Sequence, residues 1–363
     1  MTDVDVETVV RDAFRSHEHL VAGGATGLLD AVRGRVQRRR RTFAVAASGL
    51  ATLAVLAGAV WLATPHGSGG AAEPPLVSPA APRRSSVPAP PGWRLESSLG
   101  VELTVPAGWE TNDFGCGMTA KPSVVRGRGA ETQCLTPEPL SKELAVIEQP
   151  VGPPFLAVAG RPTSVDGVAA SRADGRTGDG RYAGWILIES VHVRVEVRTR
   201  DAATTRTILD SVHLVDIDHV GCPTGRPRVA RVADSGGGFV TREPAAISIC
   251  YYGGRATYPL QSSAQLTDEP ARQLATALNA ARPGGNPNPP EGTCVQEAPP
   301  VPDAVLLVRA ADGGLTTVWV TFSSCAGRGV DNGARQAQVT QTLIHLVMKP
   351  LHAGYAFNGD LPK

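Results

Sequence analysis

No charged side chain occurs between Thr42 and Ala72, and Thr42–Ala63 is almost wholly apolar. Coiled as a helix at about 1.5 Å per residue, that run rises about 33 Å, enough to cross a hydrocarbon core of about 30 Å. Lipid offers exposed backbone N–H and C=O groups no partner, so a spanning segment must be helical. Trp61 falls near the outer end, where an amphipathic indole suits the interface. Arg38, Arg39, Arg40 and Arg41 stand directly before the run. Such a cluster stays cytoplasmic, which places the N-terminus inside and the C-terminal residues outside. Forty-one residues before the run is too long for the charged region of an ordinary signal peptide, which favours a retained span over a cleaved one.

Residues 1–41 change period. Val6, Val9, Val10, Ala13 and Phe14 mark one helical face; after Gly23-Gly24, Leu28, Leu29, Val32 and Val36 mark a second. Two such stripes cannot close a core of their own. They suit a membrane-surface helix pair or a groove-filling contact with a cytoplasmic protein. Residues 64–91 hold eight prolines among Gly, Ala and Ser and read as a semi-extended linker at about 3.1 Å per residue.

Beyond the linker the period becomes two. Val101, Leu103 and Val105 alternate with polar residues, as do Val191, Val193, Val195 and Val197 with His192, Arg194, Glu196 and Arg198. Clean alternation predicts an antiparallel sheet with one wet face. Asp201 is placed to cap a helix through Ser211. Residues 92–218 therefore read as strands followed by a helix. Residues 219–350 repeat the recipe: strands over Ala245–Tyr252 and Ala256–Leu266, a helix from Thr267 to about Ala281, a hairpin about Asp312-Gly313-Gly314, and a last helix capped by Asp331. The expectation is an α+β protein of two exported domains, 92–218 and 219–350, with a tail at 351–363.

Cysteine usage agrees with export. Cys116, Cys134, Cys222, Cys250, Cys294 and Cys325 all follow the apolar run. An even set in an exported region reads as disulfides, and local closure suggests Cys116–Cys134, Cys222–Cys250 and Cys294–Cys325. No two cysteines are two to four residues apart, which disfavours zinc. A net charge of +1 gives no basic surplus to hold nucleic acid. No phosphate-binding, dinucleotide or zinc-protease motif is present, so no cofactor and no metal are expected.

Gly92-Trp93, Val105-Pro-Ala-Gly-Trp109 and Ile208-Leu-Asp-Ser-Val212 resemble PsbP-like α/β domains, which are mostly non-catalytic; that resemblance implies no site residue. Cys222-Pro223, Cys250-Tyr251-Tyr252 and Gly292-Thr293-Cys294 are placed as in exported, single-pass membrane proteins of high-GC Gram-positive bacteria, which the chain resembles; that resemblance implies no function. Asp234-Ser235-Gly236-Gly237 resembles the nucleophile segment of trypsin-like serine proteases. Ala233 stands where that family has Gly, and His192 and His213 sit in strand-like runs, so the segment reads as a glycine-rich turn. Asp216, Asp218 and His219 have the spacing of a loop metal site or a solvated junction. His345 falls on the last helix. The reading is a non-catalytic, membrane-anchored extracytoplasmic binding or sensor protein of the cell envelope. A passive structural protein and an envelope hydrolase are the alternatives.

Overall fold

The computed structural model describes residues 82–85, 88–113, 119–126, 142–150, 154, 156–229, 237–253, 257–289, 294, 296, 301–352 and 361–362. Residues 1–41, the Thr42–Ala63 run and Cys116, Cys134 and Ser235 lie outside them. Among the described residues no helix is long and apolar enough to cross a membrane.

The α+β expectation is corrected. Among the described residues strands predominate and only 16% are helical, too little to form a separate helical layer over both halves. Sixteen strands and three α-helices are described. The residues Pro79–Lys363 pack as one unit.

In the first half, β1 (Trp93–Ser98) and β2 (Val101–Pro106) form a hairpin, and β10 (His213–Leu214) adds to the far side of β2. This three-stranded sheet faces a seven-stranded one. The latter runs β3 (Glu110–Thr111), β4 (Ser123–Arg126), β5 (Leu144–Glu148), β9 (Val193–Thr199), β8 (Tyr182–Ile188), β7 (Val168–Arg176) and β6 (Arg161–Val165). Val101, Leu103 and Val105 meet Ile147, Ile186, Val193, Val195 and Val197 between them. A single helix, α1 (Ala202–Asp210), adds Ile208 and Leu209 to that core. Its first turn is satisfied by Asp201, whose Oδ1 accepts from Thr204 N–H at 2.8 Å.

The expected wet face of β9 is not wet. Arg194, Glu196 and Arg198 are all buried, and Arg194 donates to Glu148 at 2.7 Å. Trp185 lies on the same face, with its indole N–H donating to Leu156 C=O at 3.0 Å. His192 is not on the strand; it ends a 3-10 turn (Glu189–Val191) in the left-handed region and is exposed.

In the second half, β12 (Ser262–Thr267), β11 (Pro244–Tyr251), β13 (Ala304–Ala310), β14 (Leu315–Thr321), β15 (Gly329–Asp331) and β16 (Gln336–Ala337) form an antiparallel sheet in that order. Helices α2 (Asp268–Ala280) and α3 (Gln341–Met348) cover one face through Leu274, Leu278, Leu343 and Val347. The strand expected from Ala256 begins only at Ser262. Asp331 does not cap the last helix, because it lies within β15; Thr340 does, accepting from Leu343 N–H at 3.1 Å. The tail is not free: Leu361 is buried in this core.

Candidate functional site

The described residues gather one cluster of titratable groups at the seam of the two halves. Its geometry follows from strand register. Leu99 and Gly100 both have positive φ, closing β1 onto β2 through a two-residue turn. That turn sets Ser97 opposite Glu102, and β10 sets His213 opposite Glu102 from the other side. Residues directly opposite in antiparallel strands point to the same face. Val101, Leu103 and Val105 take the core face, so Ser97, Glu102 and His213 share the other.

That second face is also covered. Glu102 is fully buried. Its Oε1 accepts from Ser85 and from His213 Nε2 at 3.1 Å. Its Oε2 accepts from Ser97, from His219 N–H at 3.0 Å and from His219 Nδ1 at 2.7 Å. Burial pushes the carboxyl up, but the imidazoles and hydroxyls outweigh it and hold Glu102 well below the usual carboxylate range. His213 is raised by the same contact, against the effect of burial. Its Nδ1 also faces Ser211 C=O at 2.9 Å. A ring whose two nitrogens both face acceptors fits the doubly protonated form.

His219 reaches Glu102 because the next residues form a tight turn. Asp218 is buried; its Oδ1 accepts from Cys222 N–H at 2.7 Å and Val220 N–H at 3.1 Å, and its Oδ2 from Ser263 at 2.6 Å. Gly221, at φ 92°, supplies the left-handed step this turn needs. Burial is the main influence on Asp218 and raises its pKa. The turn delivers Cys222 to its disulfide with Cys250. A second disulfide joins Cys294 and Cys325.

The seam has a third strand of chain. Arg83 C=O accepts from Asp216 N–H at 2.8 Å and from Ile217 N–H at 3.1 Å, and Ser85 N–H donates to Ile217 C=O at 3.0 Å. Asp216 returns the contact through Arg83 N–H at 2.8 Å. The stretch read as free linker is thus bonded into the unit at 83–85. From the other half, Leu99 N–H donates to Leu260 C=O and Ser98 to Gln261 C=O, both at 2.7 Å.

The chemistry this arrangement offers is limited. A serine nucleophile needs one imidazole nitrogen to accept its proton and the acid on the other nitrogen. Here Ser97 and Glu102 both lie on His219 Nδ1, Ser97 being 3.1 Å away. A nitrogen that donates to Glu102 cannot take a proton from Ser97. Ser97 is also buried. Asp216, Asp218 and His219 do not converge: they bond Arg83, a backbone turn and Glu102 respectively. His345 lies on α3 and is exposed. No protein-family model matches the chain, nor does any curated protein or solved structure.

Glu102 and Ser97 were missed as site residues. Glu102 occupies an ordinary polar position of an alternating strand. The signal that would have found it is the turn register, but Leu99 is not a usual residue for a left-handed position.

Proposed function

We propose that the chain is a non-catalytic recognition protein of the cell envelope, held at the membrane by Thr42–Ala63 with residues 1–41 in the cytoplasm. The observation that carries this reading is the attachment of Arg83–Ser85. The segment through which the proline-rich stretch enters the unit is hydrogen-bonded to residues 216–217, and Ser85 reaches Glu102. A rearrangement at the seam therefore acts directly on residues 83–85. The two disulfides support an exported location. The buried seam, whose Glu102 carboxylate is already engaged by five hydrogen bonds, supports a role other than turnover.

The test is co-purification from native membranes, comparing the full chain with one lacking residues 2–36. Loss of a cytoplasmic protein from the shortened chain alone supports relay across the membrane. The same proteins from both, or none from either, overturns it.

A further inference from the structure

A titratable ring and the proline-rich stretch meet at one oxygen. Glu102 Oε1 accepts from His213 Nε2 at 3.1 Å and from the hydroxyl of Ser85. They also meet through one short piece of chain. Just beyond β10, Asp216 and Ile217 N–H groups donate to Arg83 C=O at 2.8 and 3.1 Å, and Ile217 C=O accepts from Ser85 N–H at 3.0 Å. Whatever moves His213 therefore bears on residues 83–85 from two sides.

The ring needs both of its protons to fit. Nε2 faces Glu102, and Nδ1 faces Ser211 C=O at 2.9 Å. A neutral imidazole has one N–H, so either tautomer sets a lone pair against an acceptor. The surrounding charges ask for the same state. Glu102 faces the ring from β2, and Asp166 acts on it from the β6–β7 turn, where it also accepts from Leu214 N–H at 2.6 Å. Asp216 and Asp218 follow on the chain after β10, Asp218 buried. Against these carboxylates stand His219, 2.7 Å from Glu102, and Arg83, spent on Asp216 at 3.3 Å. When His213 loses its second proton, Glu102 is left buried and short of counter-charge, an arrangement that is costly unless water reaches it.

The route for that water is set by what covers Glu102. The hydrophobic core closes one side of β2. The His219 turn closes part of the other and is pinned by Asp218 and by the Cys222–Cys250 disulfide. Residues 83–85 are the lightest cover. Arg83 and Arg84 are exposed, Ser85 is half-buried, and the stretch is held by its bonds to residues 216–217 and 102.

We infer that residues 83–85 form a pH-gated latch, closed over Glu102 while the His213 ring carries two protons and lifted when it carries one. The inference names the regulation of the seam in the recognition role proposed above and rests on that reading: rising pH loosens the point at which the proline-rich stretch enters the unit.

The test is hydrogen exchange of the purified full-length chain at about pH 6 and at about pH 9, on either side of the raised His213 titration. It is read at the amides of Ser85, Asp216 and Ile217 and corrected for the intrinsic rise of exchange with pH. Protection at these amides should fall about tenfold relative to the amides of β13, the size of one charge-assisted hydrogen bond. His213→Gln should abolish the fall, because glutamine keeps a donor for Glu102 and does not titrate. Ser85→Ala should lower protection at Asp216 and Ile217 at both pH values. Should His213→Gln fail to fold, the ¹⁵N imidazole titration of His213 in the parent takes its place, and the fall must share its midpoint. Protection that ignores pH overturns the latch. So does an equal fall at β13, which is unfolding of the whole unit, a fall that persists in His213→Gln, or a midpoint apart from that of the ring. The membrane co-purification runs at one pH and uses no seam variant, so failure here and failure there are separate results.

Discussion

The two large sheets bury their second faces by different means. The seven-stranded sheet mixes charge with apolar groups on the face away from its core: Arg194 pairs with Glu148 and Glu196, all three buried, beside Trp185, Leu144 and Val146. The six-stranded sheet fills its second face with Cys250, Tyr252, Val305 and Trp319, pinned by the Cys222–Cys250 disulfide. Alternation of apolar and polar residues marks which side chains share a face. It does not say that the polar face is wet. Charges can be buried when each finds a partner, and the cost then lies in breaking the set.

The comparison breaks most visibly at Arg194. Arg194→Leu removes the guanidinium that Glu148 and Glu196 share, and a loss of about 3–5 kcal/mol is expected in denaturant unfolding of the full chain. A loss below about 1 kcal/mol would mean that the charged face contributes nothing to cohesion. On the apolar side, Cys222→Ser with Cys250→Ser opens a loop of sequence separation 28, and about 3–4 kcal/mol should be lost. Reducing agent should cost the parent more than that, because it also opens Cys294–Cys325, and should cost the double variant less by the share of this bridge.

The seam between the sheets gives a smaller, pH-dependent effect. Glu102 strengthens the hold of His213 on its proton, so the ring's contribution is complete below the ordinary histidine pKa of about 6.5 and fades as pH rises through the folded value. Asp218, raised by burial, gives a slope of the same sign that starts at the ordinary aspartate pKa of about 3.9, since the folded chain keeps its proton longer than the unfolded one. Glu102 is held low, so its contribution is present above about pH 4.3 and is lost only in stronger acid. Greatest stability from Glu102 and His213 together is expected at about pH 4.5–6.5. The melting temperature should fall from about pH 5.5 to about pH 8, and His213→Gln should flatten that fall. An unchanged slope in the variant would remove His213 as its source.

Much of the strand content was legible because it rested on local alternation. β2, β9, β11 and the β13–β14 hairpin match the runs that apolar spacing marked to within a residue or two at each end. The helix capped by Asp201 was readable for the same reason: a carboxylate at an N-terminus acts on residues two or three away. The fold class was not readable, because it depends on which faces meet. Nothing local shows that β2 is buried on both sides, or that Arg194 and Glu148, 46 residues apart, share one face. Asp331 illustrates the limit. Its spacing before an apolar run suits a cap, yet it is consumed by a three-residue strand whose partner is Trp319. Glu102 became a hub through contacts at separations of 111 and 117 residues, beyond any motif.

The pairing of Arg84 with Ile217 is parallel, and it has a mechanical meaning. Tension entering from the N-terminal side pulls residues 83–85 backward along the chain, while a load held by the second half pulls residues 216–217 forward. Parallel strands drawn in those senses slide past one another. Their hydrogen bonds are strained together and do not break in succession, as they would in peeling. The entry point is therefore built to bear load along the chain, and would yield more readily to force applied across it.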